Sequence, residues 1–232
     1  MVPHILIQLS GSIFSTCLVE DHLIAGGDEQ IDQVAVFNVR IHAYNKLFSR
    51  AVAEYKKKQK RADRRITDYY VHIANGKREE AFYEAIVQFG DSKTAPCGSP
   101  NGKIVQQMLE EYVLSFQKRN PNLYIFNDVM HLDETSPHLH INFIPFYTKP
   151  RTNGPRVGVS MKAALDEMGF TSEYFKANHL VAWVANERNF METILHAHGY
   201  EREDKHADYA HMEIEEYKIE QDKNNRGRIC VR

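Results

Sequence analysis

The chain has 232 residues, 43% of them hydrophobic and 26% charged, with a formal net charge of −2. That length gives one large domain or two small ones with ample chain to bury a core, and the balance excludes wholesale disorder, collagen and a coiled coil. The near-neutral total offers no global support for nucleic-acid binding, so such a role must rest on a local patch.

Ile5-Leu6-Ile7-Gln8-Leu9 reads as a strand stopped by Ser10-Gly11-Ser12. The first nineteen residues carry no charged side chain. They lack both the basic start of a signal peptide and the apolarity of a spanning helix, so a cytoplasmic protein with no membrane partner is expected. Three widely spaced cysteines, Cys17, Cys97 and Cys230, form no C-x-x-C pair and fit a reducing compartment.

Residues 14–40 show no sustained period. From about Ala43 to Ala62 the pattern is helical, with Leu47, Phe48, Ala51, Val52 and Tyr55 as the apolar stripe. Between Lys46 and Arg65 nine basic residues face two acids, a local charge of +7 that leaves −9 for the rest. This segment is the candidate phosphate-binding surface, through Lys56, Lys57, Lys58, Lys60, Arg61, Arg64 and Arg65. The plainer reading is a solvated helix face.

Thr67 is placed to cap a short helix running to Gly76. Tyr69 and Tyr70 have the chemistry to stack on unpaired bases, although a core role for at least one fits better. Phe82–Phe89 reads as a strand, Asp91–Gly102 as an exposed loop, and Ile104–Lys118 as a helix with Met108, Tyr112 and Phe116 inward. Two strands follow, about Leu123–His131 and His138–Phe146, joined by a short turn. Ser160 caps a helix that stops near Gly169, a long helix runs from about Ser172 to His198, and Met212–Ile219 reads as a last strand. The sum is an α+β domain built on antiparallel strands, with helices too few and irregular for a doubly wound sheet.

The chemistry concentrates in the hairpin. His138 and His140 lie two apart on a strand and so project from one face, while Leu139, Ile141 and Phe143 point to the other. His131 ends the preceding strand, so three imidazoles converge on one patch. Protonated, they would repel one another; neutral, they suit a divalent cation. Three nitrogen ligands leave open positions, as catalytic sites do. Asp133 and Glu134 in the turn are placed either to ligate or to orient a histidine. Zinc, manganese, iron and nickel all suit imidazole, magnesium less so. The plainer alternatives are surface histidines beside a solvated turn, or a structural metal clip.

The segment HLDETSPHLH resembles the third motif of the MobV/Pre plasmid-mobilisation relaxases, HxDExxPHxH. It matches at every fixed position: His131, Asp133, Glu134, Pro137, His138 and His140. KQKRADRRITDYYVHI, FQKRNPNLYIFNDVMHLDETSPHLHINFIPF and RVGVSMKAALDEMGF are similar to family segments as well, and PHILIQLSGSI resembles the family's first strand. The resemblance implies a central antiparallel sheet flanked by helices, akin to the HUH nucleases, over residues 1–221, followed by a polar tail at 222–232. It implies a divalent metal, manganese or magnesium by family likeness with zinc or nickel as alternatives, held by His131, His138 and His140 with Glu134 at or beside it. It implies a site-specific single-strand nick at a plasmid transfer origin, through a covalent link to the 5′ side that leaves a free 3′-OH. The partner is single-stranded origin DNA; the oligomeric state is left open.

The chain departs from the family at its first motif, an HNxR-like sequence that carries the nucleophilic histidine. Gly11-Ser-Ile-Phe-Ser-Thr-Cys-Leu-Val-Glu-Asp-His22 contains no such sequence, and residues 14–37 are atypical. A compensated frameshift in the gene would produce that pattern. His22 is the nearest candidate nucleophile, with His42 and Tyr44 as alternatives, although Tyr44 falls close to the core-facing stripe. Asn142 shares the histidine face. Family members usually continue into a long helical region, so functions tied to it are expected to be missing. Two alternative readings follow: a degenerate relaxase that binds origin DNA without cleaving it, and an unrelated His-triad metal hydrolase.

Overall fold

The structure is a computed structural model that describes residues 5–11, 29–149, 154–171 and 179–202. Its elements are β1 (Ile5–Gly11), α1 (Glu29–Lys58), a 3-10 turn (Ala62–Arg64), α2 (Tyr69–Ala74), β2 (Tyr83–Phe89), α3 (Pro100–Arg119), β3 (Leu123–His131), β4 (His138–Tyr147), β5 (Gly158–Val159), α4 (Met161–Glu167) and α5 (His179–Ala197). The strands form one antiparallel sheet in the order β1-β2-β4-β3, with β5 pairing the end of β4. This is the expected α+β class.

Strand alternation divides the sheet into two unlike faces. Ile5 and Ile7, Ala85, Val87 and Phe89, and Leu139, Ile141 and Phe143 turn to one side and meet α3, α4 and α5 through Met108, Tyr112, Phe116, Leu165, Trp183 and Ile194. Each large side chain buried here contributes about 1.5–3 kcal/mol. Within this layer the carboxylate of Glu187 is wholly buried. It accepts hydrogen bonds from the Tyr112 hydroxyl (2.7 Å), Arg119 Nη2 (2.8 Å) and Asn120 Nδ2 (3.2 Å). Trp183 Nε1 donates to Asn120 Oδ1 at 2.7 Å, which ties α5 to the end of α3.

The opposite face is mixed. At one end Phe82, Phe126 and Ile144 pack under α1, through Ala43, Tyr44, Phe48 and Val52, with Ile66 beside them. Towards the other end polar side chains replace apolar ones. Glu84 pairs with Asn142, Ile86 with His140 and Gln88 with His138 across β2 and β4. Asn127, Val129 and His131 pair with the same three β4 residues from the other side.

That arrangement depends on a bulge. The β3–β4 register shifts between Ile125 and Asn127, so Phe126 is an extra residue. Ile125 lies against the α3–α5 core and Met130 does too, five residues later, which strict alternation forbids. Phe126 and Asn127 consequently both serve the α1 face, and His131 follows Asn127 in phase.

Local signals account for most element ends. Ser99 caps α3 by accepting from Gly102 N–H, with Pro100 at the first helical position, so the helix begins inside the expected loop. Ser160 caps α4 as expected. Asp68, not Thr67, caps α2 by accepting from Val71 N–H at 2.9 Å. Helix α1 is longer at its start than the periodicity suggests and ends at Lys58 rather than Ala62. The expected strand at 212–219, the polar tail, residues 172–178 of the long helix and His22 lie outside the described residues. Among the described residues no helix is long and apolar enough to cross a membrane.

Candidate metal centre

His131 and His138 are direct partners across β3 and β4, and His140 stands two residues further along β4 on the same face. The ring centroids lie 5.0 Å apart for His131–His138, 4.9 Å for His131–His140 and 5.2 Å for His138–His140. One ring nitrogen from each falls within 4.8 Å of the other two. Metal–nitrogen bonds of about 2.1 Å set tetrahedral ligands roughly 3.4 Å apart, so small rotamer changes suffice to close the site.

Two of the three rings are already oriented. His138 Nδ1 lies 3.0 Å from the Ser136 carbonyl oxygen, and His140 Nδ1 lies 3.0 Å from Glu84 Oε1. Both partners accept only, so each neutral ring donates from Nδ1–H and keeps its Nε2 lone pair for a cation. The Ser136 contact follows from the turn: Pro137 fixes the chain there, and Ser136 Oγ accepts from Gln88 Nε2 at 2.8 Å.

Carboxylates rim the cluster. Glu134 reaches two rings, with oxygens 3.9 Å from His131 Nδ1 and 3.7 Å from His138 Nε2, while Asp133 reaches only His131, at 3.9 Å. Burial, then the neighbouring His140 and His138, hold the His131 pKa below its usual value, against the opposing pull of Glu134 and Asp133. A ring kept neutral in this way suits metal ligation. The donor set therefore fits a divalent cation: three imidazoles, two of them pre-oriented, with an acidic rim.

Glu84 was not singled out in the sequence. It sits 56 residues from His140, on a strand whose pairing with β4 no local pattern reveals. Asn142 is buried in the row next to the histidines, flanked by Glu84 and Asn127. Tyr44 is a packing residue: its hydroxyl donates to the Ala81 carbonyl at 2.6 Å, and burial pushes its pKa far up. His42 is exposed on α1. Tyr69 and Tyr70 are both half-buried against the α1 stripe, and the Tyr69 hydroxyl accepts from Val159 N–H at 3.0 Å.

The seven basic candidates are all exposed, but they do not form one helical face. Lys56, Lys57 and Lys58 occupy the last turn of α1, and Lys60, Arg61, Arg64 and Arg65 follow in and around the 3-10 turn. Arg65 Nε donates to the Gln59 carbonyl at 3.2 Å, which folds this segment back on the helix end.

Residues 41–178 match the family model described as plasmid recombination enzyme, well over half of the chain. The protein belongs to that family, whose members act in plasmid recombination and mobilisation. The match spans the hairpin, Glu84 and the basic segment. No curated protein and no solved structure matches the chain.

Proposed function

We propose that the protein is a metal-dependent relaxase that nicks and rejoins one strand of a plasmid transfer origin through a covalent protein–DNA intermediate. The observation that carries this reading is the convergence of His131, His138 and His140 within 4.8 Å, two of them locked in the metal-binding tautomer. The family match supports plasmid DNA as the substrate and hence a cytoplasmic site of action.

His131, His138 and His140 would hold a divalent metal, manganese or magnesium by family likeness, which would supply positive charge to the non-bridging oxygens of the scissile phosphate. The chain's own part is to fix those ligands, through Glu84 and the Ser136 carbonyl, and to place Glu134 at the rim. In the cleavage step a nucleophile bonds to phosphorus as the bond to the 3′ oxygen breaks. The 3′ oxygen takes a proton and the 5′ phosphate stays on the protein, so religation needs no outside energy. His22 is our candidate for that group. Lys56–Arg65 would hold phosphates electrostatically, with salt-dependent affinity.

A second reading is favoured by one observation: residues 11–22 lack the HNxR sequence that resemblance to relaxases calls for. On that reading the protein binds origin DNA without cleaving it. Incubation with manganese or magnesium and a supercoiled plasmid carrying its own origin separates the two. Relaxation, with a protein–DNA adduct that survives a denaturing gel, establishes the relaxase. Origin binding with neither product establishes the binding-only form.

A further inference from the structure

Arg40 lies on α1 with three aromatic rings around its guanidinium carbon, at 5.2 Å from the Phe37 centroid, 5.2 Å from Tyr70 and 4.7 Å from Phe82. Such contacts hold the cation through ring faces and leave its in-plane N–H donors unspent. No carboxylate pairs with it among the described residues. Its Nε is buried with no hydrogen-bond acceptor among the described residues. With Nε enclosed, the groups left to meet a ligand are the two Nη of this half-buried side chain, which donate in the guanidinium plane. Phe37, at the rim of this cage, is 44% exposed and stands edge-on to Tyr70.

Position gives the cage a meaning. Phe82 faces the same side of the sheet as Glu84 and Ile86, and Ile86 pairs with His140. Four residues of strand put the cage about 13 Å from the histidine row. At the 3.4 Å per nucleotide of stacked DNA, that is no more than about four nucleotides. Glu84, Asn142 and Asn127 make the polar row between.

We propose that Arg40, Phe37 and Tyr70 form a subsite for single-stranded DNA, in which Arg40 grips a backbone phosphate and Phe37 stacks on an adjoining base. Arginine is the side chain suited to such a phosphate, because its planar fork donates two hydrogen bonds at once. Base stacking on an exposed ring is sequence-tolerant, so the subsite holds the strand without reading it. The proposal rests on the relaxase reading for its biological use, but its binding chemistry stands apart from cleavage.

The test is fluorescence anisotropy with labelled dT20, in chelator, over a range of salt. The wild type is expected to bind. F37A, at an exposed position that should leave the thermal midpoint unchanged, is expected to weaken binding about tenfold. R40M is expected to weaken it and to lower the salt slope by about 0.7, one released counterion on a single strand. R40K, which keeps the charge and loses the fork, should retain the slope and lose affinity, so a folding defect is separable from a lost contact. Wild-type failure to bind dT20, or binding by F37A and R40M as tight as the wild type's, overturns the subsite. Plasmid relaxation in the same preparation then reports separately on the relaxase reading.

Discussion

His131 and His138 stand opposite one another across β3 and β4 with their rings stacked, 10° from parallel at 5.0 Å. They share a face because Phe126 bulges from β3. Were β3 to run through Phe126 in strict alternation, the phase that turns Ile125 into the α3–α5 core would turn His131 the same way. The bulge moves His131 to the face of His138 and His140 while Ile125 and Met130 stay in the core. Deleting Phe126 leaves Ile125 and His131 five positions apart, on opposite faces of a regular strand, so metal binding should survive the deletion. One residue inserted between Val129 and Met130 should instead turn His131 into the core and abolish binding, as read by manganese titration.

Glu84 should matter to the metal although it is no ligand. Its oxygen 3.0 Å from His140 Nδ1 fixes ring and tautomer. E84A should cost about 10- to 100-fold in metal affinity, as partners of ligating histidines do elsewhere. E84Q, which still offers an acceptor oxygen, should cost less. Calorimetric titration with cobalt or manganese measures both, and thermal melting shows whether the fold survives.

The buried Glu187 is a stability element. Replacing it with alanine leaves Arg119 and Asn120 without their acceptor in the α3–α5 layer. Breaking one side of such a pair costs about 3–5 kcal/mol, or roughly 10 °C in thermal midpoint for a chain of this size. Replacing Glu187 and Arg119 together with methionine should recover part of that loss, since no uncompensated charge then remains. Thermal melts followed by circular dichroism check both variants.

Glu167 sets an acid limit. Burial would raise its carboxyl pKa, but hydrogen bonds from the backbone N–H groups of Lys149 and Thr148, the Thr148 hydroxyl and the Asn122 amide outweigh it, and the pKa falls below the usual 4.5. A depressed folded-state pKa means the unfolded chain takes up protons first. This stabilisation is therefore complete above the ordinary carboxylate range and is lost as pH falls through the lowered value. E167Q should be less stable than wild type near neutrality, and the gap should close on acidification. Denaturant melts across that range measure it.

Much of this site is legible in the sequence because it is local. Two histidines at strand spacing, a third just before the turn and Pro137 between them suffice to place the rings on one hairpin. The phase of β3 was not read from the sequence: Ile125 and His131 are both odd-numbered, yet the one lies against the core and the other in the site. Only a bulge resolves that conflict. Glu84 was not legible, because nothing in FYEAIVQF marks which distant strand it will pair with. The start of α1 was missed because residues 29–40 carry several β-branched side chains and no clean stripe. Its end was misplaced because the basic run continues past Lys58 without a break in composition. The Arg40 cage needs three segments of chain, around residues 37, 70 and 82, and no spacing rule joins them.

The central claim is that residues 131, 138 and 140 share one cation. The direct measurement is X-ray diffraction at the manganese absorption edge from crystals grown with manganese. One anomalous peak, about 2.1 Å from a nitrogen of each of the three rings, is the predicted result. A peak bound to fewer than three of them, or none at the hairpin with the metal present in excess, would contradict it.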